Sequence, residues 1–335
     1  MSALDLRAPA VPTGPGTGLR GPVRVLLRQH RRSLWTAGAL LVLGIGIVVG
    51  LRIWVSAAAS AELCPDGDTT ACGDGSYLPT QARSATEAYL SGGGTVVLLL
   101  AGLIGVFVAG PLIARELESG TFRLAWTQSV TPAQWLAARL ALPAALVTAG
   151  VTVLVLVYRW GWSGMRSTSA VYELGWYQSG VNPALGPVAI GYALLAVAVG
   201  ALSAVVVRRT VPAMGATALV LAVVTLGIGK RRYELWPTVR FLDGNRPSGD
   251  AWHIESGMLT ASGKEISYWT DCVGAGTVPE DPAACMRKLG GITDFADYHP
   301  ASHFWPLQLV ETGILLVLAA LAVALAFRVL RRRHG

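Results

Sequence analysis

Charge is what this chain has least of. Only 14% of its 335 residues are Asp, Glu, Lys or Arg, while 53% are hydrophobic. A soluble globular domain carries roughly a quarter charged residues, so a water-surrounded fold is excluded for most of this length. The motifs of several chemistries are missing too. No GxxxxGK[ST] loop is present: Gly229-Lys230 lacks the upstream glycine, because position 224 is Val. Nucleotide hydrolysis of the P-loop kind is therefore excluded for this chain. HExxH and GxSxG are absent, and no apolar run carries the paired carboxylates of an intramembrane aspartyl protease. Cysteine is rare, with four residues, and none lies in an apolar run.

What the chain does have is long apolar blocks. About 18 or more apolar residues span the roughly 30 Å hydrocarbon layer as a helix, and lipid offers no partner to unpaired backbone groups. Six blocks qualify: about 34–56, 94–114, 140–158, 187–206, 212–229 and 306–327. The expectation is an all-α polytopic membrane protein, with a mobile tail at 1–21, a six-span domain over 34–327 and a basic tail at 328–335. Ala57–Ala61 resembles a signal-cleavage site, but a polar lead of over 30 residues precedes a long apolar run. The first span is therefore expected to be retained.

Charge placement orients the spans. One set of connecting segments holds fifteen basic residues, including Arg24, Arg28, Arg115, Arg123, Arg139, Arg208, Arg209, Arg331, Arg332 and Arg333, against only Asp5, Glu116 and Glu118. Basic residues close to span ends stay in the cytoplasm, which places both termini there. Lys230, Arg231 and Arg232 disagree, because they open the outer loop 230–303. Long loops cross regardless of charge, and the topology stands. The net charge of +7 thus reflects the membrane rule rather than nucleic-acid binding. Arginine far outnumbers lysine, a composition that a GC-rich bacterial genome produces.

The four cysteines, Cys64, Cys72, Cys272 and Cys285, all fall in outer loops. Thiols on an oxidising face form disulfides. Three pairings exist, and the local one, Cys64–Cys72 with Cys272–Cys285, is the expectation. Zinc is disfavoured because no CxxC spacing occurs.

Residues 22–33 set Val23, Leu26, Leu27 and Leu34 on one helical face and Arg24, Arg28, Arg31 and Arg32 elsewhere. Such a helix lies in the headgroup plane. Ser119-Gly120 reads as a helix stop. Thr131, Pro132 and Gln134 read as a capping box with proline at the first helical position. Segment 115–136 is therefore helix end, break, short helix 121–128, break, and a new helix, with Trp126 and Trp135 as apolar anchors. Trp252–Ser267 reads as a hairpin turning at Ser262-Gly263. Trp54, Trp160, Trp162 and Trp305 mark outer span ends and Trp35 an inner one.

Asp297, His299 and His303 offer histidines at i, i+4, a metal face if helical. Pro300 lies between them, so structural use is favoured. Glu311 lies within the sixth apolar block, where an ionisable group is a pathway or interfacial candidate. Arg52, near an outer span end, is expected to snorkel. Gly46-x-x-x-Gly50 permits close helix packing.

The segment Arg115-Glu116-Leu117-Glu118-Ser119-Gly120-Thr121-Phe122-Arg123-Leu124-Ala125-Trp126-Thr127-Gln128-Ser129, with Tyr298–Gln308 and Glu311-Thr312-Gly313-Ile314, resembles permease subunits of type-2 ATP-binding-cassette transporters. The branch it is most similar to is abundant in high-GC Gram-positive bacteria. The resemblance covers the six-span order and nearly the whole chain. It implies that 115–129 is the coupling segment that docks on a separate ATPase subunit and that 22–33 is the connecting helix. Arg115, Glu116, Glu118 and Arg123 would make its polar contacts, and Phe122 and Trp126 its apolar ones, with Gly120 and Thr121 also in the coupling set. It further implies no cofactor on this chain, ATP and Mg on the partner ATPase, a second permease copy or paralogue, a bacterial cell-membrane location and a lean towards export. The rival reading is a membrane-anchored sensor or immunity protein whose outer loop binds a peptide or antibiotic without transport.

Overall fold

The computed structural model describes residues 31–60, 77–123, 131–166, 175–245, 247, 250–273 and 281–334. Residues 1–21, most of 22–33, Cys64, Cys72 and Trp126 lie outside them. The chain divides into two units, Met1–Leu43 and Gly44–Gly335. Helix α1 is Arg31–Ser60, followed by α2 (Tyr77–Ile104), α3 (Gly110–Ser119), α4 (Pro132–Arg166), α5 (Val188–Val207) and α6 (Thr210–Arg231). Strands β1 (Val239–Leu242), β2 (Trp252–Thr260) and β3 (Glu265–Ser267) come next, then α7 (Pro282–Lys288), β4 (Gly291–His299) and α8 (Phe304–His334).

Five helical stretches are long and apolar enough to cross a membrane: Leu90–Ser119, Pro132–Gly164, Val188–Val207, Thr210–Leu235 and Ala301–Arg333. A shorter apolar stretch, Leu41–Ala57, lies in α1. These are the six blocks of the sequence, with different ends. The second block extends to Ser119, so Arg115, Glu116 and Glu118 sit on the last turns of a helix that ends at Ser119-Gly120, as the sequence indicates. The basic segment from Arg328 continues the last helix to His334. Hydropathy marks only the lipid-buried centre of a helix, and at about 1.5 Å per residue a 33-residue span outruns the bilayer.

Helix α5 is the hub. It is built from Ala, Val, Gly and Leu, and it is buried on nearly every side. Helices α2, α3, α4, α6 and α8 pack around it. Small residues set the closest crossing. A Cβ on Gly200 would stand 2.6 Å from the Gly105 carbonyl oxygen, and one on Gly105 would stand 2.5 Å from the Ala196 carbonyl oxygen. Contact of this kind between backbones is how helices associate in lipid, where apolar burial between them has no driving force. Gly105–Ala109 forms a single π turn there, joining α2 to α3, with the Gly110 N–H bonded to the Gly105 oxygen. The outer faces of the bundle expose Val96, Leu99, Phe107, Leu219, Val223, Leu226, Val317 and Leu321, as lipid contact requires.

Both ends of α5 are tied to α8, which runs parallel to it. At the start, Gln308 Oε1 accepts from the Val188 N–H at 3.3 Å. At the finish, Arg333 Nη1 donates to the carbonyls of Val205 and Val206, 3.2 Å each. A cation on the last carbonyls also suits the helix dipole. Arg52 of α1 does not snorkel free. Its Nη1 donates to the Trp160 carbonyl at 2.9 Å, with the guanidinium 4.0 Å from the Trp160 ring. A Cβ on Gly46 or Gly50 would have nothing within 4 Å, so that spacing serves no contact among the described residues.

The loop between α6 and α8 adds a small antiparallel sheet of order β1-β4-β2-β3. The β2–β3 hairpin turns at Ser262-Gly263 as read, with Gly263 at φ +79° and its N–H on the Thr260 carbonyl at 2.9 Å. β1 and β4 pair Val239 with Tyr298 and Leu242 with Phe295. Cys272 and Cys285 are disulfide-bonded. The sheet is fixed to the bundle by aromatic rings. Trp176 lies edge-on to Trp252 and Phe304, at centroid distances of 6.2 and 5.8 Å, and its Nε1 donates to the Asp250 carbonyl at 3.2 Å.

Gly200→Val should lower the thermal unfolding temperature in detergent, at a cost of about 1–3 kcal/mol as expected for overpacking. Gly150→Ala, whose Cβ would have nothing within 4 Å, should be neutral or slightly stabilising.

Candidate coupling site

The helix ends on the arginine-rich side meet around one turn. Helix α3 stops at Ser119 because Gly120 adopts φ +74°, the left-handed conformation that glycine takes without strain. The Arg123 N–H then bonds the Gly120 carbonyl at 3.1 Å. Leu117 and Phe122 point into the core with Trp135, Leu136 and Leu140. Phe122 is thus an anchor of the turn within its own chain.

The two carboxylates are each tied to a neighbouring helix. Glu116 Oε2 accepts from Trp135 Nε1 at 3.0 Å, and its other oxygen pairs with the Arg139 guanidinium, both on α4. Glu118 Oε2 accepts from the Thr210 N–H at 3.0 Å and the Thr210 hydroxyl at 2.7 Å. Thr210 opens α6, so Glu118 places an anion on a helix N-terminus, where the dipole favours it. Beside it, α5 ends at Arg208 with φ 58° and its N–H on the Ala204 carbonyl at 2.9 Å. Helix α4 begins with the capping box that the sequence indicates: Thr131 N–H to Gln134 Oε1 at 3.0 Å, and Gln134 N–H to Thr131 Oγ1 at 3.2 Å.

Arg115, Ser119, Thr121 and Arg123 remain exposed. The Ser119 and Thr121 hydroxyls stand 3.0 Å apart. The surface of the turn is therefore cationic and hydroxylic, its acids spent on α4 and α6. Arg139, Thr210 and Arg333 were not singled out as partners from sequence. Glu116 and Glu118 are nearly alone as acids on a side crowded with arginine, a signal that each is matched. Which partner each takes depends on helix packing.

At the opposite end of the bundle, Glu311 is fully buried and paired. Arg232 Nε donates to Glu311 Oε2 at 2.7 Å and Arg232 Nη2 to Oε1 at 3.0 Å. The Tyr192 hydroxyl donates to Oε1 at 3.1 Å. One turn earlier, Gln308 Nε2 donates to the Asn182 carbonyl at 2.7 Å and to Asn182 Oδ1 at 3.1 Å. The basic triple that disagreed with the charge rule is thus partly explained: Arg232 serves a buried carboxylate.

Asp297, His299 and His303 do not converge as a metal set, and no group of three such ligands occurs among the described residues. Asp297 holds Arg240 by two bonds of 2.8 and 2.7 Å. Asp297 first, then Glu265, keeps the Arg240 guanidinium protonated beyond its ordinary range. His299 ends β4, and Pro300 separates it from the 3₁₀ turn of His303. Its Nε2 stands 2.9 Å from the Tyr233 carbonyl, and its Nδ1 stands 3.1 Å from His303 Nδ1. The carbonyl can only accept, so His299 carries its proton on Nε2 and accepts from His303. Burial lowers the His299 pKa, against a smaller opposing effect of the Tyr233 bond.

The sign of the pH effect follows. Below the ordinary histidine range the unfolded chain binds a proton that folded His299 resists, so stability falls as the medium is acidified. Thermal unfolding in detergent should show a lower transition at pH 5 than at pH 7. The difference should shrink in His299→Gln, which keeps a donor for Tyr233 and cannot titrate.

A family model described as ABC-2 membrane transporter related matches residues 37–231. That match takes in α1 to α6, including the turn at Gly120 and both carboxylates that hold it. No curated protein and no solved structure matches the chain at a significant level. With five membrane-length helices and a shorter apolar stretch, the chain is a multi-pass membrane protein of the permease kind, and it belongs to the ABC-2 membrane transporter-related family.

Proposed function

We propose that this chain is the transmembrane half of an ATP-driven exporter, coupled through the Gly120–Arg123 turn to a separate ATPase subunit that carries ATP and Mg. The arginine-rich end faces the cytoplasm with both termini, and the sheet faces outward across a bacterial cell membrane. Six spans make half of a pathway, and a second permease copy or paralogue completes it.

The observation that carries this reading is the wiring of the turn. A force on Gly120–Arg123 passes through Glu116 to α4 at Trp135 and Arg139, and through Glu118 to the α5–α6 turn at Thr210. Phe122 locks the same turn to the core. A loop merely lying on lipid has no need of two carboxylate ties to two different spans. Glu116 and Glu118 thus act as positioning residues. Arg115, Thr121 and Arg123, with the Trp126 segment, supply the docking surface. Closure of the ATPase subunits moves this surface, and the ties move α4 and α6 around α5.

The test is co-purification from native membranes in mild detergent, followed by vanadate-sensitive ATP hydrolysis. A P-loop ATPase should accompany the wild-type chain. Arg123→Glu should weaken its retention about tenfold, the effect of roughly 1.4 kcal/mol. Glu118→Ala should retain the ATPase but change hydrolysis in the complex, because docking persists while transmission fails. If both variants behave as wild type and only deletions within 252–285 abolish activity, the sensor or immunity reading replaces this one.

A further inference from the structure

The buried pair Arg232–Glu311 is not needed to hold α6 and α8 in the bundle. Each packs on α5, and they meet each other chiefly at Arg232–Leu235, the 3₁₀ turn that ends α6. The pair is costly. Both ions are removed from water inside an otherwise apolar span, and such pairs contribute little net stability compared with apolar residues of the same volume. What they provide is a defined arrangement that is lost all at once when the partners part.

Three further features place that arrangement at a junction. The Tyr192 hydroxyl adds α5 to the pair. The residue after Arg232, Tyr233, accepts through its carbonyl from His299 at the end of β4. The short segment 232–233 is therefore held from the bundle by Glu311 and from the sheet by His299. One turn along α8 from Glu311, Gln308 ties α8 to Asn182 and to the first amide of α5. The Asn182 side chain is 1% exposed, yet its Nδ2 has no hydrogen-bond partner among the described residues. A buried donor left unpaired costs free energy, and this one lies beside the polar ties of α8.

From these observations we infer that Arg232, Glu311 and Tyr192 form a latch, which closes the sheet-side ends of α6 and α8 over α5 and parts when the permease opens on that side. This rests on the transporter reading. Arg232 and Glu311 then act as positioning residues for the access change, and neither touches cargo in the closed state. The strut alternative holds the same contacts fixed through the whole cycle.

Hydrogen exchange with mass spectrometry separates the two. The full complex, in lipid nanodiscs, is compared without nucleotide and after trapping with ATP and vanadate. The latch predicts that amides in 228–236 and 304–312 exchange slowly at rest and about tenfold faster when trapped, while those of α5 stay protected. The single variant Glu311→Gln leaves the buried Arg232 guanidinium without its counter-ion and should exchange fast at both segments without nucleotide. Tyr192→Phe, which keeps the ion pair, should shift the resting rate less. Identical exchange at rest and after trapping in the wild-type complex overturns the latch, whether or not the Glu311 variant folds. Failure of any ATPase to co-purify overturns the transporter reading instead, and the latch with it.

Discussion

The pairing of α8 with α5 is what the remaining structure depends on. Helix α5 carries few polar side chains, Tyr192 and Ser203, and hydrocarbon supplies no hydrogen bonds to its open ends. Helix α8 supplies one partner for each end: Gln308 at the first amide and Arg333 at the last carbonyls. With both ends fixed, α5 becomes a post that the π turn between α2 and α3 crosses, Gly105 against Gly200, and around which α4 and α6 stand. The small residues of α5 follow from this role, because five neighbours cannot approach one helix unless its side chains are short.

The polar chemistry concentrates at the two ends of that post, and the ends differ in kind. On the arginine-rich side, the carboxylates Glu116 and Glu118 bind a single turn to two helices at half-exposed or exposed positions. On the sheet side, Glu311 is sealed and held by three donor atoms from two neighbouring segments. The proposed coupling to an ATPase needs this division. The driven end must stay reachable by its partner, and the opposite end must keep water and solutes out until it opens.

The sequence discloses whatever depends on neighbours along the chain. The apolar centres of the spans, the stop at Ser119-Gly120, the Thr131–Gln134 box, the Ser262-Gly263 hairpin and the Cys272–Cys285 disulfide all rest on residues within a few positions of one another, or within 13 for the cysteines. The full length of the last helix is less legible, because Arg328 to His334 are too polar to register in hydropathy while remaining able to stay helical. Least legible were the long-range pairs. Arg232 and Glu311 lie 79 positions apart, and β1 and β4 pair across a comparable gap. Each of those ions looked anomalous alone: a cation on the wrong side, an acid within a span. Two opposite anomalies in one membrane domain are a signal that each has its partner in the other.

The central claim is that the turn after α3 is where a separate ATPase takes hold. A photo-crosslinking amino acid placed at Thr121, which is exposed, tests it most directly. Irradiated in native membranes, it should trap a P-loop ATPase, and the same group at exposed Trp236, next to the sheet, should not. A crosslink from Trp236 but none from Thr121, or only lipid adducts at Thr121, would contradict the account.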